Sequence, residues 1–429
     1  MRIWSFGFLV LLAVSATGCV QLTLAWADLN PAGPKAEPDV LGTFEGDGPV
    51  TTIEDWERSR APALREAFQA NLYGYFPDAS SVDILEHRVL DKAAFDGAGQ
   101  LEEYKLEATA SFNGSDQKTE PFYLDVVLPA AADGPVPVIL METFCPRWDT
   151  IPHPDVARPK ESGSCNDGPM TGVFAYVFGR YIATPPLETI LARGYGVATI
   201  FPGEYVPDSK EKGLAALSAL DPDATDPDRR WGAVAAWAWG YSLIIDVLEN
   251  DPAVDTFITY GHSRYGKAAL VAAAFDTRVD GVIAHQSGTG GASLNRKKKG
   301  ESVGAITENY PHWFASVYAR YAGHEEDMPV DQHQLLALVA PRPILLGNAR
   351  RDVWSDPNGA FRAAIGADPV WKLYGGDGLD QKRLKPFNPQ ADIAFWIRPG
   401  THGVVREDWP AFLDFLDAHF KPAPMLTRR

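Results

Sequence analysis

From residue 136 to near the C-terminus the chain repeats one pattern: a short apolar run, a loop, then a stretch of helical periodicity. The runs at 136–144 (VPVILMETF), 196–203 (GVATIFPG), 256–261 (TFITYG), 279–288 (VDGVIAHQSG), 341–349 (PRPILLGNA) and 392–400 (DIAFWIRPG) read as strands. Between and after them, 186–195, 231–251, 357–366 and 406–420 read as helices. Parallel strands need crossovers of a dozen or more residues, and such crossovers cover both faces of the sheet. The alternation therefore predicts a three-layer α/β/α sandwich around a mostly parallel sheet.

The chain leading into this region reads differently. A helix is expected over 55–74, followed by two alternating segments, 103–112 and 120–129, that read as antiparallel strands. Residues 28–50 are rich in Pro, Gly and Asp and form an irregular leader. The first 27 residues carry Arg2, an apolar run and Ala25-Trp26-Ala27, the layout of a secretory signal cleaved before Asp28. Lipoprotein processing at Cys19 is the alternative. Export to a secreted or periplasmic location is expected, with no membrane partner for the mature form. The apolar run is short for a membrane span. With no internal repeat and no later linker, 51–429 reads as one catalytic domain. Cys145 and Cys165 remain after cleavage and either pair or stay free. A net charge of −17 argues against a nucleic-acid partner. A monomer is expected.

The stretch TFITYGHSRYGKAAL (256–270) runs from a strand through a tight turn into a helix, with Ser263 at the bend. It approaches the Gly-x-Ser-x-Gly elbow of serine hydrolases, but Tyr265 stands where the second glycine belongs, and Gly266 follows one residue late. Functional side chains of open α/β sheets gather beyond the carboxyl ends of the strands. Three such ends supply Ser263, then Asp352, then His402, the chain order of an α/β-hydrolase triad. Ser263 is the candidate nucleophile and His402 the candidate base, with His285 a rival and His262 expected to point away. Asp352 is the candidate acid. Asp356 is the alternative, and could instead cap the helix that follows it.

Gly261-His262-Ser263-Arg264-Tyr265-Gly266-Lys267 matches G-x-S-R-x-G-K, and SGTGGA (287–292), ITEN (306–309), HWF (312–314) and 331–345 follow in order. In these motifs the chain resembles the glucuronoyl esterases, carbohydrate esterase family 15, over roughly Trp231 to His402. The resemblance implies an α/β-hydrolase fold and hydrolysis of 4-O-methyl-glucuronoyl esters that link glucuronoxylan to lignin alcohols. It implies no metal and no organic cofactor. By position it gives Arg264 to the oxyanion and Lys267, Glu308 and Trp354 to the sugar. Two departures stand out. Gln286 occupies the place of a catalytic glutamate found in many members and is assigned to substrate binding. Gly300 stands where the fungal pattern has a glutamine. The run Arg296-Lys297-Lys298-Lys299 reads as a solvated loop. Two alternatives stay open: an acetyl-xylan or general carboxylesterase, and a non-catalytic carbohydrate-binding homologue, for which Gln286 is the motive.

Overall fold

The structure is a computed structural model and describes residues 35–42, 48, 50–158, 164, 165, 177–224 and 226–421. The expected signal segment 1–27, Cys19 and much of the leader lie outside the described residues. The strands are β1 (Ala79–Ala93), β2 (Gly99–Phe112), β3 (Ser115–Lys118), β4 (Phe122–Pro129), β5 (Val136–Glu142), β6 (Gly196–Ile200), β7 (Val254–His262), β8 (Gly281–His285), β9 (Ile344–Ala349) and β10 (Ile393–Arg398). All belong to one sheet, ordered β1-β2-β4-β6-β5-β7-β8-β9-β10, with β3 pairing β2 off this path. The wing β1-β2-β4-β6 is antiparallel, and β6-β5-β7-β8-β9-β10 runs parallel.

The period of two along each central strand builds the two apolar layers. In β5, Val138 and Leu140 join the larger core while Ile139 and Met141 face the other side. In β8, β9 and β10 the same split separates Val282, Ile344 and Ile393 from Ile283, Leu345 and Ala394. Helices Ala233–Leu248, Ser263–Phe275 and Pro357–Leu373 cover the first face. Leu187–Ala192 and Asp408–Phe420 cover the second. Helix Ala233–Leu248 is apolar nearly all round, as a helix enclosed on every side must be.

The elements outside the sequence expectations include β1, β3 and helix Lys210–Leu220. β1 is exposed along most of its length, so neither face imposes an alternation; its backbone pairing with β2 defines it. Cys145, three residues beyond β5, is disulfide-bonded to Cys165. The basic run is not uniformly solvated. Arg296 donates to the Glu37 and Met328 carbonyls, and Lys298 buries its ammonium, which burial pushes down to about 8. Among the described residues no helix is long and apolar enough to cross a membrane.

Candidate active site

β7 delivers Ser263 to the bend with φ of 55°, a left-handed conformation that lifts a side chain off a strand-to-helix turn. The late glycine follows from packing. A Cβ on Gly261 would lie 1.9 Å from the Tyr265 carbonyl oxygen, and one on Gly266 would lie 2.9 Å from the Gly261 oxygen and 3.0 Å from that of His285. Close approach of backbone thus falls on 261 and 266. Position 265 points into the core instead, where Tyr265 meets Trp237 and Phe144 edge-on at 5.2 and 4.8 Å between ring centroids.

His402, on the loop after β10, places Nδ1 2.8 Å from Asp352 Oδ2, and the other carboxylate oxygen accepts the Ser355 N–H at 3.3 Å. Burial alone would raise the Asp352 carboxyl; the hydrogen bonds from His402 and Ser355 outweigh it and hold it below its ordinary value. Asp356 is occupied elsewhere. It caps helix Pro357–Leu373 through Gly359 N at 3.0 Å and accepts the Lys299 N–H. His285 is fully buried at the end of β8. His262 does not point away: its ring lies 4.6 Å from that of His402, because the extended backbone before the bend turns it under the histidine loop.

Ser263 and His402 line one cavity of about 270 Å³ together with Arg264, Lys267, Gln286, Glu301, Trp313 and Trp354. Lys267 donates to the Ser287 carbonyl; burial pushes its ammonium down to about 8, with the nearby Glu301 carboxylate opposing. Burial raises the Glu301 carboxyl, opposed by Lys267, Lys298 and a side-chain hydrogen bond with Trp354. Trp354 sits at the mouth, half-exposed. Arg264 is paired with Asp208, which also accepts from His312 at 2.8 Å and Trp313 at 2.7 Å. Its guanidinium lies over the Phe144 and Trp313 rings at 5.0 and 5.5 Å. Gln286 accepts the Gly403 N–H at 2.8 Å and donates to the Thr401 carbonyl at 3.4 Å, so it braces both sides of His402.

One assignment is corrected. Glu308 is exposed near the end of helix Val303–Asn309 and does not line the cavity; Glu301, in the turn before that helix, does. Spacing carried across an irregular insertion does not preserve register, and one helical turn faces outward where the turn before it faces in. Sequence reasoning also missed Asp208, which lies far from the motifs in the chain, and did not single out Trp313 for the site. Trp313 does pack, stacked on Tyr310 at 3.9 Å, but its ring also forms cavity wall.

Residues 226–375 match the family model described as glucuronyl esterase, fungi. Carbohydrate esterase MZ0003, from an unknown prokaryotic organism, is 35% identical over 398 residues, 89% of this chain and 89% of that protein. The 4-O-methyl-glucuronoyl methylesterase 1 of Wolfiporia cocos is 35% identical over 166 residues, 36% of this chain and 40% of its own. The solved glucuronoyl esterase from Solibacter usitatus superposes with a TM-score of 0.74 at 31% identity, over 91% of this chain and 99% of that one. On this likeness over nearly its whole length, and on the α/β-hydrolase fold it shares, the chain belongs to the glucuronoyl esterases, carbohydrate esterase family 15.

Proposed function

We propose that this glucuronoyl esterase cleaves 4-O-methyl-glucuronoyl esters joining glucuronoxylan to lignin alcohols, through a glucuronoyl-serine intermediate. The observation that carries the reading is the cavity itself, which sets Ser263 and His402 beside the charged pair Lys267 and Glu301 and the indole of Trp354. A small neutral acetyl group needs no such cluster. A uronosyl ring, with hydroxyl and ether oxygens around it, does.

In the first half-reaction the Ser263 oxygen attacks the uronoyl carbonyl while its proton passes to Nε2 of His402. Asp352, hydrogen-bonded to Nδ1, holds that tautomer and balances the imidazolium without taking the proton. On this reading the Arg264 backbone N–H, at the start of helix Ser263–Phe275, and its guanidinium, paired with Asp208, stabilise the developing oxyanion. One such donor contributes about 3–4 kcal/mol to barrier lowering. The alcohol departs with the proton from His402. Water, deprotonated by the same ring, then attacks the acyl-serine and regenerates Ser263. Asp352 stands in for the missing glutamate, and Gln286 serves by bracing the histidine loop, which removes the motive for a non-catalytic reading.

The test compares a benzyl ester of 4-O-methyl-glucuronate with acetylated xylan, for wild type and Ser263→Ala. Wild type should prefer the glucuronate ester, and the variant should lose turnover. Preference for acetylated xylan would move the enzyme to the acetyl-xylan esterases. We further infer that the protein is exported to a secreted or periplasmic location and works as a monomer, with Ala25-Trp26-Ala27 as the processing site. N-terminal sequencing of the exported protein should read from Asp28; a lipid-modified Cys19 would overturn that.

A further inference from the structure

Behind the nucleophile turn lies a second, much smaller cavity of about 30 Å³, bordered by Glu142, Thr143, Thr150, Tyr260 and His262 among others. Glu142, Thr150 and His262 are 4%, 1% and 3% exposed. Each has a buried polar atom with no hydrogen-bond partner among the described residues: Glu142 Oε2, Thr150 Oγ1 and His262 Nε2. Buried polar groups without partners are rare, and three of them around one space large enough for a water molecule mark a polar site.

The direction of the hydrogen bonds follows from one end. Asp408, bound to Arg398 through two contacts of 2.9 Å, can only accept when ionised. His285 Nε2 lies 3.7 Å from Asp408 Oδ1, beyond hydrogen-bond reach and without a partner among the described residues, but the carboxylate's charge favours the proton on that nitrogen over a lone pair there. That leaves His285 Nδ1 as an acceptor, so His262 Nδ1, 3.2 Å away, is the donor. His262 Nε2 is then a bare acceptor on a ring that borders the small cavity. Glu142 borders the same cavity. Its Oε1 accepts the Tyr205 hydroxyl at 2.6 Å and burial raises its carboxyl, which leaves Oε2, the oxygen without a partner, as the one on which a proton would sit.

We propose that the small cavity binds one ordered water, completing a buried hydrogen-bond relay Glu142–water–His262–His285, oriented by the nearby Asp408 carboxylate, that holds His262 neutral beneath His402. Glu142 and His262 are then positioning residues. A charged ring against the face of His402 would oppose the imidazolium that must form there in each half-reaction. A neutral ring locked from both sides does not. Only the kinetic arm of the test rests on the reading of His402 as the base; the spectroscopic arm needs no substrate.

The first measurement is ¹⁵N NMR of the full chain labelled at histidine, at about pH 7, with the His262 signals assigned through a His262→Asn variant. His262 should show a protonated Nδ1 and a bare Nε2; the opposite tautomer or an imidazolium overturns the relay. The second compares Glu142→Gln, which keeps a donor on the water, with Glu142→Leu, which does not. Glu142→Gln should retain wild-type kcat, while Glu142→Leu should lose roughly tenfold in kcat with KM unchanged, the scale on which outer hydrogen-bond partners act. Equal kcat in both variants, or equal loss in both, overturns the assignment. Thr150→Val gives the same readout in the event that Glu142→Leu does not fold.

Discussion

Asp352 and Asp356 are four residues apart and chemically identical, yet one faces His402 and the other closes a helix. Asp352→Asn keeps the shape of the contact but permits the wrong imidazole tautomer, so kcat should fall by roughly 10³–10⁴-fold. Asp356→Asn preserves a good N-cap in a backbone conformation asparagine tolerates, and steady-state kinetics should stay near wild type. The same contrast applies to the sugar side. Glu301→Gln weakens a charged contact in a buried cavity, and KM for a glucuronate ester should rise roughly ten- to a hundredfold. Glu308→Gln, on an exposed helix face, should leave KM unchanged; the reverse result would restore the position inferred from motif spacing.

At the scale of elements, the turn between β7 and its helix shows how a motif can depart from its usual form without losing its geometry. The usual second glycine permits close backbone approach, and here that approach is shifted to Gly266. Tyr265 fills the space between Trp237 and Phe144 and is almost fully buried. Restoring the ordinary motif with Tyr265→Gly should therefore do harm. Loss of a buried aromatic ring costs about 3–5 kcal/mol, and a helix glycine adds about 1 kcal/mol. Chemical denaturation should show a lowered midpoint, and turnover should fall because Phe144 also lines the substrate cavity. An unchanged midpoint would mean that position 265 is not a packing position.

For the whole molecule, the question is what joins the antiparallel wing to the parallel sheet. Arg147, in a short helix after β5, answers it with buried contacts to Asp125 on β4 at 2.6 Å, Glu103 on β2 at 3.4 Å and Glu204 after β6 at 3.3 Å. Burial pushes the Asp125 carboxyl up to about 7, with Arg147 opposing. Arg147→Met leaves Asp125 and Glu204 without their cation and Glu103 with Arg88 alone, and should cost about 3–5 kcal/mol. The pH dependence has a definite sign. A carboxyl raised in the folded state penalises folding above its folded value, and the penalty fades as pH falls toward the unfolded value near 4. The variant's deficit in thermal stability should therefore be larger at about pH 8 than at about pH 5; the opposite trend would show that the cluster is not what Arg147 neutralises.

The sequence by itself determined what depends on local order. Period-two apolar runs and helical periodicity set the parallel sheet and its two covered faces, and strand-to-loop transitions placed Ser263, Asp352 and His402 at strand ends in workable order. These features are legible because each repeats over consecutive residues and needs no partner to be recognised. Tertiary structure alone decided the rest. β1 exists through pairing with β2, with no alternation of its own to announce it. Glu301 replaces Glu308 because an irregular insertion carries no fixed period, so only its fold over the cavity says which carboxylate turns inward. Asp208 reaches Arg264 across 56 positions of chain, and Glu142, His262, His285 and Asp408 converge from four separate segments. Contacts between distant residues depend on how layers pack, and that information is held by the whole chain at once.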